Sequence, residues 1–315
     1  MNKFKSVTKP LMWFTALALA TVAAGCGSGD PILGGGAGAG AGSGPAGVTT
    51  ASILGTAAPL GLSATAGLTT AISSSTVNGD VLLDPLAQCN STAVPNNGAI
   101  GSCAPTGFAP TINGFVISSA FSTGYNLATV KADLNAGFLK LTPPAGPPAA
   151  GSLGGATNLP AGTTLGAASG SALVLGDNLF YPGVYQSLTS IMVTGDLTLD
   201  AQGNPDAVFV FQSSSTVGTA PGASGGPGTH TRILLVNGAK ASNVWWVPAS
   251  SATIDTFSEF QGNIIAAFSI TLNQGAVSCG RMMAGAWVGG GGALTLGGAN
   301  VVSVPGNVNA PASCI

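Results

Sequence analysis

Thr253, Thr271 and Thr295 recur at steps of 18 and 24 residues, each inside a short β-rich run: Ser251-Ala252-Thr253-Ile254, Ser269-Ile270-Thr271-Leu272 and Ala293-Leu294-Thr295-Leu296. Alternate side chains of a strand point to opposite faces. Ala252 and Ile254 therefore turn inward while Ser251 and Thr253 turn outward, and the other two runs read the same way. Strands stacked side by side lie about 4.7–4.9 Å apart, so a column of threonines offers one hydroxyl and one methyl at each rung. The hydroxyl can anchor a water molecule and the methyl limits competing hydration. Ser251, Ser269 and Thr256 would widen this patch, and Thr216 would be the outward residue one coil earlier, with Val217 inward. Asp255 sets a charge at its edge. Threonine is also a favoured strand residue in its own right, so such columns occur on inert sheets too.

Other residue types support less chemistry. Asp196, Asp200 and Asp206 could form a calcium or catalytic carboxylate group, but Asp200-Ala-Gln-Gly-Asn-Pro-Asp206 is equally a turn joining two strands. His230, the one histidine, follows a Gly/Pro loop with no second acid or base predictable beside it. Asp255 and Glu259 stand in a strand and a corner, not on one helix face. The glycine strings give no nucleotide-binding or nucleophile-elbow pattern above what low complexity produces. No catalytic residue, metal or cofactor is expected.

Charge points the same way. Charged side chains are 6% of 315 residues, against about 25% in an ordinary soluble domain. Lys3, Lys5 and Lys9 precede an apolar run, which leaves Lys131, Lys140, Arg232, Lys240 and Arg281 scattered over the rest. Scattered cations cannot neutralise a run of phosphates, so nucleic acid is excluded as a partner. Hydrophobic residues at 45% and a net charge of −2 also oppose disorder.

The start reads as a secretory signal over residues 1–25: a basic segment, an apolar run from Leu11 to Ala24, then small residues. The run is shorter than the roughly 18 residues that span a bilayer. Ala23-Ala24-Gly25-Cys26 resembles the bacterial lipobox, although leucine is commoner at the place of Ala23. That resemblance implies lipidation at Cys26, with the outer membrane or cell surface as destination and the lipid as the only membrane contact; ordinary secretion is the alternative. Four cysteines then remain for an oxidising compartment. Of three connectivities, Cys89 with Cys103 and Cys279 with Cys314 is the expected one, and zinc spacing is absent.

The elements follow from composition and period. Residues 26–48 form a Gly/Ala/Ser tether too poor in side-chain volume to pack, and the folded domain is expected over 49–315. Leu127, Val130, Leu134, Phe138 and Leu141 form one apolar stripe of a helix over about 126–141, stopped by Thr142-Pro143-Pro144. With Gly137 inside it, that helix must dock on something apolar. In the C-terminal half, short β-rich runs repeat, and Trp245, Ile264 and Met282 follow at steps of 19 and 18. Three strands per turn of about 18 residues is the arithmetic of a three-sided β-solenoid; a β-sandwich enforces no such recurrence. Thr198 lies 18 residues before Thr216, yet counting strands in order puts it on the third face. Trp245, Trp246, Phe209 and Phe211 read as the seat of the helix stripe, and Trp287 as an exposed contact.

LGTAAPLGLSATAGLTT (54–70), GYNLATVKADL (124–134), GVYQS (183–187), GDLTLDAQGNPDAVFVFQ (195–212), NGAKASNVWWV (237–247), SATIDTFSEFQGNIIA (251–266), ITLNQGAVSCGRMMA (270–284) and ALTL (293–296) resemble, in order, the microbial ice-binding protein family. The resemblance implies a mainly β chain folded as a right-handed, discontinuous, three-sided (triangular) β-solenoid with one long helix alongside. It implies a non-enzymatic monomer whose partner is ice or ordered water, bound through a face bearing Thr216, Ser251, Thr253, Thr256, Ser269, Thr271 and Thr295. Segments at about 86–110, 143–170, 220–230 and 289–292 depart from the family pattern as insertions that could cover a face. Fold alone does not fix function, so a surface adhesin or structural module and a polysaccharide-active enzyme stay open.

Overall fold

The computed structural model describes residues 44–83, 88–89, 110–117, 125–142, 153, 155–222, 231–287, 291–311 and 314. Cys26, Cys103, His230 and the segment 143–150 lie outside the described residues, and with them the expected signal segment, acylation and Cys89–Cys103 pairing.

Among the described residues, short parallel strands form three sheets of nine, eight and eight strands, the three walls that the 18-residue recurrence predicts. The chain does not climb the solenoid in one pass. Its first strands, from Leu60–Ala64 to Val116–Ile117, stack at one end. Helix α2 (Leu127–Leu141) follows, and winding restarts at the opposite end with Thr157–Asn158, Thr163–Leu165 and Leu179–Phe180. The last coil, Met282–Ala284, Ala293–Leu296 and Val301–Ser303, docks against the first, Leu60–Ala64, Gly67–Thr70 and Thr76–Asn78.

The interior is apolar because most inward positions are: Leu197, Phe211, Trp246, Ile264, Leu272 and Leu294 are all fully buried in one cluster. Tyr185, Phe211 and Trp246 are register partners on three adjacent strands. Their rings stack at 5.3 and 4.3 Å, an offset aromatic column of the kind that adds to area burial. Burial pushes the Tyr185 hydroxyl up to about 12, and it donates to the Tyr181 carbonyl at 2.7 Å.

Helix α2 matches the predicted span, with Asn126 as N-cap accepting from the Thr129 N–H at 3.2 Å. Val130, Leu134, Phe138 and Leu141 pack on the outer side of the nine-stranded sheet, against Val210, Trp245, Val247, Ile265 and Met283. The seat is therefore narrower than the sequence suggests. Trp245 faces the helix, but Trp246, Phe209 and Phe211 belong to the interior cluster. Alternation gives the reason: on a strand apolar on both faces, neighbours must point opposite ways. The column partner of Ile264 and Met282 is accordingly Trp246, not Trp245. Gly137 is where α2 meets α1 (Thr50–Leu54), since a β-carbon there would stand 2.0 Å from the Ile53 carbonyl oxygen.

Three boundaries differ from expectation. The supposed insertion at 143–170 contains Thr157–Asn158 and Thr163–Leu165, which form a coil of the solenoid; within 86–110, Gln88–Cys89 likewise pairs with Gly67–Leu68. The end of the tether also packs, with Val48 buried beneath the helical layer. Cys279 and Cys314 are disulfide-bonded, as expected, and fasten the C-terminal tail to the sheet of Glu259–Gln261, Val277–Cys279 and Val301–Ser303. Among the described residues, no helix is long and apolar enough to cross a membrane.

Candidate functional site

The second sheet runs in spatial order Gln88–Cys89, Gly67–Thr70, Ala293–Leu296, Ile270–Leu272, Ala252–Ile254, Val217–Thr219, Ile191–Val193 and Thr163–Leu165. Its inward apolar residues, among them Leu68, Leu294, Ile270, Leu272, Ala252 and Ile254, are buried in the interior cluster. That fixes the outward ones. Thr253 pairs with Thr271, Thr271 with Thr295, and Thr295 with Thr69. Four threonines thus stand on four adjacent strands in unbroken register, a column about 14 Å long at the strand spacing. Thr69 and Thr253 are exposed and Thr271 and Thr295 half-buried. Among the described residues, none of their hydroxyls hydrogen-bonds to protein, and no element covers them: the helix lies on a different sheet.

Thr69 is absent from the sequence-based set. A signal for it exists, because Gly67-Leu68-Thr69-Thr70 repeats the spacing of Ala293-Leu294-Thr295-Leu296. Only the docking of the first coil on the last gives that likeness meaning.

The remaining predicted residues divide. Thr216 is exposed and outward, but it precedes Val217, the partner of Ala252, and so aligns with Ser251 rather than Thr253. Gly218 occupies the Thr253 column in that coil. Ser251 and Ser269 face outward, yet their oxygens serve the solenoid: Ser251 Oγ accepts the Ser269 N–H at 3.2 Å and Ser269 Oγ the Ala293 N–H at 3.1 Å. Thr256 lies past the end of Ala252–Ile254, in the corner, where its carbonyl accepts the Gly222 N–H. Asp255, just past the end of Ala252–Ile254, puts a charge at the edge of the sheet, and it is half-buried. Its Oδ1 accepts from Asn273 Nδ2 at 2.8 Å and from the Thr256 N–H at 2.7 Å.

Charge collects on the third sheet instead. Asp196 and Arg232 pair in register and form a two-point ion pair at 2.9 and 2.7 Å. That carboxylate lifts the Arg232 guanidinium further above its usual value. Asp200 accepts from the Gln202 N–H and from Asn237 Nδ2, fixing the turn that ends at Asp206. Thr198 belongs to this sheet, between Leu179 and Leu234, as strand counting requires. Trp287 is exposed and meets Phe268 edge to face at 6.0 Å.

Comparison with known proteins agrees with this architecture. An ice-binding protein of Nostoc sp. (strain HG1) is 44% identical over 115 residues, which cover 36% of this chain and 39% of that protein. The chain spans less than half the length of this curated relative. Among solved structures, a domain of Shewanella frigidimarina ice-binding protein 1 superposes with TM-score 0.57 at 27% identity, over 80% of this chain and 96% of that one. The ice-binding protein of the Antarctic ascomycete Antarctomyces psychrotrophicus superposes with TM-score 0.55 at 28% identity, over 80% and 97%. Residues 62–301, reaching from the first strand of the solenoid to its last, match the family described as Ice-binding-like, and the chain belongs to that family.

Proposed function

We propose that the protein adsorbs to ice through the outward face of the second sheet and restrains ice growth, without catalysing a reaction. The observation that carries this reading is the register-locked run Thr69, Thr295, Thr271 and Thr253, whose hydroxyls make no bond within the described protein. A repeat set by strand spacing, close to an oxygen repeat of ice, lets adjacent hydroxyls hold waters in an ordered array. The methyls and the near absence of charge keep competing hydration weak. The relatives named as ice-binding proteins share the fold and support the reading. Against an enzymatic role, Asp196 and Asp200 are engaged in structural bonds.

Thermal hysteresis and recrystallisation assays on residues 44–315 test it. Ice crystals that cease to coarsen in micromolar protein support adsorption; unchanged growth at high micromolar protein favours an adhesive scaffold. Calcium-dependent release of unsaturated sugars would instead revive the enzyme.

We also infer export as a monomer held to the envelope by acylated Cys26. The disulfide between Cys279 and Cys314 is in keeping with an oxidising compartment. Labelling with a fatty-acid analogue, lost in Cys26→Ser, is the expected result.

A further inference from the structure

The threonine column does not run the length of its sheet. Beyond Thr253 its next positions are Gly218, then Met192, then Thr164. Gly218 is buried although it lies on the outward side, and Met192 next to it is 42% exposed. The cause is contact: a β-carbon at Gly218 would stand 3.4 Å from Met192 Cε and 3.5 Å from Met192 Sδ. The methionine tip therefore lies over the gap that the glycine leaves.

We propose that Met192 and Gly218 form the boundary of the ice-contact face, confining it to the four threonines from Thr69 to Thr253 and leaving Thr164 outside it. The assignment rests on the ice-adsorption reading and refines it. A thioether on a flexible stem neither anchors water as a hydroxyl does nor holds one position at the spacing of the rungs. Glycine supplies no group at all. Thr164 is separated from Thr253 by three strand spacings, about 14 Å, with this pair between them, so it cannot extend the ordered array.

The boundary is removable. Gly218 does not have the left-handed backbone that would exclude a side chain, and the contacts a β-carbon would meet are ordinary van der Waals ones. Threonine suits a strand position of this kind. M192T/G218T would join Thr164 to the rest and give seven threonines in register.

The experiment compares wild type, T271Y, T164Y and M192T/G218T of residues 44–315 by recrystallisation assay, with thermal melts as the folding control. The expected result is loss of activity in T271Y, full activity in T164Y, and a halt to recrystallisation at a concentration at least about two-fold lower in M192T/G218T. Inactive wild type would sink the ice-adsorption reading itself. Active wild type with T271Y inactive, but with T164Y also inactive or a folded M192T/G218T no better than wild type, would overturn the boundary alone. Should the double variant fail to fold, T164Y against T271Y decides the matter.

Discussion

Thr69 stands directly opposite Thr295 on the neighbouring parallel strand, although one belongs to the first coil of the chain and the other to the last. Thr271 and Thr253 continue the line on the strands beyond. This threonine line is thus assembled from distant parts of the sequence.

Replacing Thr271 with Tyr puts a bulky ring in the middle of that line while leaving the inward neighbours Ile270 and Leu272 untouched. Ice activity is expected to fall to background in a recrystallisation assay. The melting curve should shift by no more than about 0.5 kcal/mol of stability, as surface changes do. A large loss of stability would show that Thr271 is part of the packing.

Trp245 is fully buried between sheet and helix, and its Nε1 has no partner among the described residues. Trp245→Ala should cost about 3–5 kcal/mol in denaturant melts, the usual range for emptying a site of this size. Trp245→Phe keeps most of the apolar area and removes an unsatisfied donor, so it should cost under about 1.5 kcal/mol. Equal losses in the two variants would contradict the placement.

Asp133 on α2 accepts from the Thr56 N–H at 2.8 Å and from Thr56 Oγ1 at 2.7 Å. These bonds hold its carboxyl below the usual value. A depressed folded-state pKa means the contribution is complete above the ordinary carboxylate value and is lost as pH falls through the lowered one. The contact is exposed, so its worth is under about 1 kcal/mol after screening. Asp133→Asn should flatten the acid side of a melting-temperature profile; an unchanged profile would remove Thr56 as the cause.

The Cys279–Cys314 bridge closes a loop of 35 residues. In the chain-entropy picture it stabilises by on the order of 3–4 kcal/mol. Because it ties a terminal tail to the third sheet, reduction should free the tail to proteolysis first. Ice activity, on a different wall, should persist in Cys314→Ser, and its loss would place the tail in the active surface.

Much of this was legible from residue order. The 18-residue step fixed three walls, the i, i+3, i+4 stripe fixed α2, and Thr253, Thr271 and Thr295 fell in one column because their runs alternate cleanly between apolar and polar. Phase failed where alternation fails: Val244 to Val247 is apolar throughout, so nothing local separates Trp245 from Trp246. Thr216 misled by residue type, since its neighbour Gly218 holds the column position without a side chain to announce it. Gly- and Pro-rich composition masks the coil around Thr163–Leu165, and with it Thr164. Ser251 and Ser269 look identical to free hydroxyls until the backbone N–H groups of the next coil are in place.

The union of first coil with last has a consequence in time. Ribosomes deliver the N-terminal strands early, but the inner flank of Gly67–Thr70 has to wait for Ala293–Leu296 near the other terminus. Such distant closure is slow for a chain of parallel strands. The face on which Thr69 meets Thr295 is therefore among the last parts of the described fold to be completed.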